Sequence, residues 1–160
     1  MVNNILTPKN DLSEIKEIVA DLKQKNKKII LTSGCFDLLH YGHLELFYHA
    51  KEKGDVLIVL VSIDEDIRAI KGDKRPIQGE MDRAKLVNGF KPVDYVILHA
   101  GDIFFELLKT IHPYKIVKGS DYKKHKEHIA QITKYTKKGV DFLNRLDAST
   151  TDLINQCKNL

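Results

Sequence analysis

Apolar residues recur along this chain in two alternating rhythms. Near the start, Leu12, Ile15, Ile18, Val19 and Leu22 return at intervals of three and four, the spacing of one helix face, and Asp11 stands before Glu14 at capping-box distance. The run IILTSG (29–34) is apolar without alternation and stops at a glycine, which predicts a strand covered on both faces. A helical pattern over 44–53 follows, then DVLIVLVS (55–62), the strongest strand signal in the chain. DYVIL (94–98) and KIVK (115–118) predict two more strands, separated by a helix over 103–111 that His112-Pro113 ends. A polar helix is predicted over 124–137 and a last strand over 140–143. Ser149, with Asp152 at capping-box spacing, opens a terminal helix.

Strand and helix patterns alternate, and the strands are apolar on both faces. That order predicts the α/β class: a single Rossmann-like domain with a doubly wound parallel sheet and helices on both faces. The 160 residues suit one domain, with a helical lead-in over 1–27 and the α/β core over 28–160. In such sheets ligands lie beyond the carboxyl ends of the strands, near the point where strand order reverses. The residues that follow each strand are therefore where chemistry is sought.

Composition narrows the class without naming a reaction. Hydrophobic residues make up 42% and charged residues 30%, as in a globular protein that folds without disulfides or metal. Cys35 and Cys157 lie far apart and give no disulfide framework. The longest apolar run, Val56 to Val61, is far short of a bilayer span, and the N-terminus lacks the basic start and apolar core of a secretory signal. A cytoplasmic protein without membrane contact is expected. Lys+Arg 26 against Asp+Glu 22 leaves a net charge of +4. That mild excess suits an anionic small substrate and does not by itself argue for nucleic acid.

The most informative stretch is Gly34-Cys35-Phe36-Asp37-Leu38-Leu39-His40-Tyr41-Gly42-His43, which follows a buried strand and opens a helix. Gly34 lets the backbone turn, and Gly42 lets a ligand approach the helix start. Free N–H groups and the helix dipole make that start an anion site. His40 and His43, three apart, can face one pocket there and donate hydrogen bonds to phosphoryl oxygens. Taken singly, each histidine is also compatible with a surface or satisfied core position. As half of a metal site the pair lacks a second His/Cys pair at zinc spacing. Neither G-x-x-x-x-G-K-[ST] nor G-x-G-x-x-G is present, so the chain carries no P-loop and no dinucleotide fingerprint.

The segment TSGCFDLLHYGHLELFYHAK (32–51) resembles the signature of the cytidylyltransferase-like nucleotidyltransferases, marked by H-x-G-H after the first core strand. Further motifs follow in order: SIDEDIRAIKGDKRP (62–76), an Arg in MDRAKLV (81–87), VDYVI (93–97), VKGSDY (117–122) and STT (149–151). The leading helix, KGxxRP and VKGxDY are most similar to adenylyltransferase domains of ADP-heptose synthases. GxFDLLHxGH and STT are shared with glycerol-3-phosphate cytidylyltransferases. The resemblance implies transfer of a nucleotidyl group from a nucleoside triphosphate, ATP by the heptose branch, to a sugar phosphate such as a heptose 1-phosphate, with release of pyrophosphate. The alternative is CTP with a phosphorylated alcohol such as glycerol 3-phosphate. Mg²⁺ is expected with the triphosphate, held mainly by phosphate oxygens and water. A homodimer is expected from the family, and a stand-alone transferase from the lack of a kinase domain in this sequence.

Residue by residue, the resemblance gives His40, His43, Lys71 and Arg83 to catalysis. It gives Gly34, Cys35, Phe36, Asp37, His40, Gly42, His43, Lys118, Gly119, Asp121, Ser149, Thr150 and Thr151 to the nucleotide, and Arg75 and Arg83 to the acceptor. No protein metal ligand is expected, although Asp37 could touch Mg²⁺ indirectly instead of holding the turn. Lys71, Lys74 and Arg75 are expected in a loop that closes over phosphates, against the plainer reading of a solvated charge cluster. Arg83 is read against a surface arginine, Asp121 against a helix N-cap, and Ser149 to Thr151 against plain capping. Cys35 as a nucleophile is disfavoured, because the reaction needs no covalent intermediate. Leu146-Asp147-Ala148 replaces the acidic-Gly-Cys run of the heptose enzymes, and Arg145 lies four residues before Ser149 rather than five as in the glycerol enzymes. Two other classes compete: a nucleotide-binding regulatory module without turnover, and an RNA-binding protein using the lysine-rich stretch from Lys123 to Lys138.

Overall fold

The computed structural model describes residues 4–8, 11–144, 150, 153, 154 and 157. In chain order they form β1 (Ile5–Leu6), α1 (Ser13–Gln24), β2 (Ile29–Gly34), α2 (Tyr41–Lys51), β3 (Val56–Ser62), α3 (Asp64–Lys71), α4 (Glu80–Asn88), β4 (Tyr95–His99), α5 (Phe104–Ile111), β5 (Lys115–Gly119), α6 (Lys126–Thr133) and β6 (Val140–Leu143). The strands make one sheet in the order β1-β4-β3-β2-β5-β6, every neighbour parallel.

The unalternating apolar runs become the inner strands because helices cover both of their faces. One layer joins Ile29, Leu31, Ile58, Leu60, Ile97 and Ile116 to α1, α5 and Ile132 of α6. The other joins Ile30, Leu57, Val59, Val61, Val96 and Val117 to α2 and α4. Leu57 to Val61 are at most 1% exposed, and each such side chain stabilises the fold by about 1.5–3 kcal/mol relative to exposure. From β2 the chain moves through α2 to β3 on one side, while β5 pairs with β2 on the other. The order therefore reverses between β2 and β5, and the crevice above their carboxyl ends is the expected ligand position.

Several boundaries differ from expectation. The two-residue edge strand β1 was not foreseen, being too short to leave a pattern. α3 occupies 64–71, for which no element was foreseen, so Lys71, expected in a loop with Lys74 and Arg75, ends a helix instead. α3 went unread because it is short and mostly polar, with Ile67 its one buried residue. α2 begins at Tyr41, before the expected 44, because His40 caps it. The polar helix shrinks to 126–133 and is preceded by a 3₁₀ turn over Ser120–Lys124. Asp11 does not form a capping box with Glu14; its carboxylate accepts from the backbone N–H and the hydroxyl of Ser13. Ser149, Thr151 and Asp152 lie outside the described residues, and so does the capping box expected there.

Candidate active site

The turn after β2 is built around a strained residue. Phe36 sits at φ 49°, in the left-handed region that bulky side chains rarely adopt. Its ring folds back beneath Gly34, where an added Cβ would lie 3.1 Å from the ring's Cζ. The ring also meets His43 edge-on, with centroids 5.3 Å apart. Phe36 thereby supports the His43 imidazole from below.

His40 is the N-cap of α2. Its Nδ1 accepts from the Gly42 N–H at 3.1 Å, and the His40 N–H donates to His43 Nδ1 at 3.3 Å. Both Nδ1 atoms are acceptors, so each neutral ring carries its proton on Nε2. The rings stack with centroids 3.8 Å apart. Burial, with the charges of His40 and Lys71 beside it, lowers the His43 pKa to about 3, and burial also lowers that of His40. Two neutral imidazoles thus present Nε2–H donors at a helix N-terminus, where donors and dipole favour an anion.

Asp37 is 2% exposed and its two oxygens are occupied. Oδ1 accepts from the Ile77 and Gln78 N–H groups at 2.7 and 3.1 Å, and Oδ2 pairs with Arg75 Nε. Asp37 is therefore the clasp that fastens the 72–79 loop to the β2 turn. With both oxygens engaged, the geometry favours the turn-holding role over the indirect Mg²⁺ role considered from sequence. Arg75, expected at the acceptor, is held by this clasp; its buried Nη2 has no partner among the described residues. Lys71 and Lys74 are exposed on the same loop and helix end.

Arg83 departs most from expectation. Its side chain is fully buried, and it donates to Gln78 O at 3.0 Å, to Ser62 O at 2.7 Å, to Asp64 Oδ1 at 2.8 Å and to Cys35 O. These contacts occupy the guanidinium behind the site, where it ties the turn after β2 to the end of β3. This is a scaffold position, not the substrate contact expected from sequence. Beyond it, Asp64, Glu65, Glu80 and Asp82 line an open hollow whose carboxylates would repel phosphate.

Lys118 closes the other side of the crevice. Its ammonium donates to Ser33 Oγ at 2.5 Å and to Ser33 O at 3.1 Å, and lies 4.4 Å from the centre of the Tyr122 ring. Burial lowers its pKa to about 8, against the opposing pull of Asp121. Asp121 folds back over Gly119: a Cβ there would fall 2.5 Å from Asp121 Oδ1, so a larger residue would make that carboxylate swing aside. Thr150 Oγ1 donates to Leu38 O at 3.0 Å, which brings position 150 to the H-x-G-H turn. Cys35 is a half-buried free thiol whose carbonyl serves Arg83. Ser33 was missed by sequence reading, as were His99 and Asp66. Each stands at or just beyond a strand's carboxyl end, the one signal that could have found them.

The cytidylyltransferase-like family model matches residues 31–156. A protein named "Bifunctional protein HldE" from a Nitratiruptor species is 40% identical over 149 residues, covering 93% of this chain and 32% of that protein. One of the same name from Desulfatibacillum aliphaticivorans is 42% identical over 112 residues, covering 70% of this chain and 23% of that protein. The chain thus spans a third or less of the length of these curated relatives. The crystal structure of a lipopolysaccharide core biosynthesis protein from Thermoplasma volcanium superposes with a TM-score of 0.65 at 27% identity, over 76% of this chain and 99% of that one. With its motifs gathered at one end of a doubly wound sheet and most of its length matched, the chain belongs to the cytidylyltransferase-like family.

Proposed function

We propose that this chain transfers a nucleotidyl group from a nucleoside triphosphate, ATP by its motifs, to the phosphate of a sugar phosphate. An acceptor phosphate oxygen forms a bond to the α-phosphorus, the bond to the bridging oxygen breaks, and pyrophosphate departs with the electron pair. The supporting observation is the pair of stacked imidazoles whose Nδ1 atoms are both spoken for, leaving two Nε2–H donors at the start of α2. They hold phosphoryl oxygens and strengthen as negative charge builds in the transition state. Because the rings are neutral, they act as donors at fixed positions and need no proton transfer.

Lys71 supplies positive charge beside His43, and Lys118 supplies it at the end of β5, where its ammonium reaches Ser33 of the neighbouring β2. A triphosphate-borne Mg²⁺ fits the donor set, because the site offers hydrogen-bond donors to phosphate and both Asp37 oxygens are already engaged. When bound, that ion would neutralise phosphate charge. The KGxxRP and VKGxDY motifs, which resemble those of ADP-heptose synthases, support a sugar phosphate as acceptor. No helix among the described residues is long and apolar enough to cross a membrane.

Pyrophosphate release from ATP, CTP, GTP and UTP, each with heptose and hexose 1-phosphates and with glycerol 3-phosphate, tests the reading. Release with ATP and a sugar phosphate is expected, and His43→Ala should abolish most of it. Triphosphate binding with no release for any acceptor would favour the regulatory-module reading instead.

A further inference from the structure

The carboxyl edge of the sheet carries a second polar row, of which the phosphate-binding reading uses only Lys118. Leu31, Leu60, Ile97 and Ile116 point into the core on the α1 and α5 side. Strand alternation therefore places Ser33, Ser62, His99 and Lys118 on that same face, one step further along. Ser62 stands opposite His99 in the β3–β4 register, and Lys118 bridges to Ser33. Phe104 covers this row, its ring centre 5.5 Å from that of His99 and 5.8 Å from that of His128.

His99 is 5% exposed. Its Nδ1 lies 3.0 Å from Ala100 O. A carbonyl only accepts, so the proton sits on Nδ1 and Nε2 keeps a lone pair. Burial lowers the pKa and keeps the ring neutral. Nε2 is buried without a hydrogen-bond partner among the described residues, and so is Oδ2 of Asp66. Asp66 comes from the first turn of α3, and its carboxylate packs on the backbone just after His99: a Cβ on Gly101 would lie 3.5 Å from both carboxylate oxygens.

Two neighbouring buried acceptors without donors are costly, because each gives up its hydrogen bonds to water with nothing in return. A phosphate suits them poorly, since it brings mostly acceptors and sets negative charge beside the Asp66 carboxylate. A cation would meet the positive charge of Lys118, which reaches His99. A neutral group with several donors fits, and vicinal hydroxyls supply it. We propose that His99 Nε2 and Asp66 Oδ2 accept hydrogen bonds from hydroxyls of the acceptor's sugar, fixing its orientation while its phosphate faces Lys118 and the imidazole cradle. This rests on the nucleotidyl-transfer reading and adds to it the two residues that distinguish a polyol phosphate from phosphate alone.

Calorimetry reads the pair without turnover, using hexose and heptose 1-phosphates with inorganic phosphate as the control that lacks sugar hydroxyls. The wild-type protein should prefer a sugar phosphate by roughly tenfold or more, because unpaired buried acceptors reject ligands that lack the matching hydroxyl. His99→Leu and Asp66→Ala should lose that preference while ATP binding stays within about twofold, a split that general unfolding would not give. His99→Gln and Asp66→Asn keep an acceptor oxygen and should recover part of it. Deoxy-sugar phosphates on the wild-type protein give the same answer with no variant: at least one should bind like inorganic phosphate. Equal binding of sugar phosphate and inorganic phosphate by the wild type, or an unchanged preference in the Leu and Ala variants, would overturn the proposal. An intact preference with no pyrophosphate release would leave this pair standing and remove the transfer reading.

Discussion

At the scale of single residues, the site depends on which atoms are already occupied. His40 and His43 spend Nδ1 on the backbone and so aim Nε2–H outward. Removing one such donor should lower kcat by about 10²–10³; steady-state pyrophosphate release for His43→Ala checks this, with circular dichroism confirming the fold. Titration separates Lys118 from the histidines. Its ammonium loses its proton as pH rises through about 8, so kcat/KM should fall above that value, and Lys118→Met should flatten the alkaline limb. Stability moves the other way: between about 8 and 10.5 the unfolded chain holds a proton that native Lys118 has lost, so the native state gains stability as pH rises across that window. For His43 the unfolded ring takes a proton below 6.5, whereas the native ring resists until about 3. Stability therefore falls as pH drops through that range, and His43→Asn should lessen the acid loss in urea melts.

At the scale of elements, the β2 turn, the 72–79 loop and α4 are fastened by two charged side chains. Asp37→Ala leaves Arg75 without its carboxylate and should cost about 3–5 kcal/mol, measured by denaturant unfolding. Arg83→Lys keeps the charge but loses the fork that reaches Cys35, Ser62, Gln78 and Asp64, at about 1.5–3 kcal/mol for each charged hydrogen bond lost. The sequence showed where these residues lie but not what they hold. β2, β3, β4 and β5 were legible because burial on both faces leaves long apolar runs. The H-x-G-H turn was legible because glycine and histidine follow such a run. α3 was not, because a short polar helix with one inward residue leaves no periodic signal. Arg83 as a scaffold was hidden because its partners are mostly backbone carbonyls, which no side-chain pattern reports. His99 and Asp66 were hidden because they come together only through the β3–α3 and β4–α5 connections.

At the scale of the whole molecule, the parallel order brings five chain segments to one edge of the sheet, with Thr150 reaching Leu38 from the far end of the chain. Ligand binding there should stabilise the entire fold. At a concentration near 100 Kd the gain is about 2.7 kcal/mol, which for a domain of this size raises Tm by roughly 5–11 °C. A thermal-shift series with the four triphosphates should single out the preferred base, with ATP expected to give the largest rise. A mild net charge of +4 suits anionic small molecules and does not by itself argue for nucleic acid. Weak RNA binding that collapses with salt should therefore leave the triphosphate shift intact.

Imidazole nitrogen NMR on histidine-labelled protein, titrated with ATP and Mg²⁺, reads the phosphate cradle at its own atoms. Before ATP, His40 and His43 should both show protonated Nε2 and bare Nδ1 at neutral pH. On adding ATP, both Nε2 resonances should move together and saturate with one Kd, while His112 stays still. If the two rings show the opposite tautomer, or stay unmoved while ATP binds elsewhere, the paired donors do not hold the triphosphate.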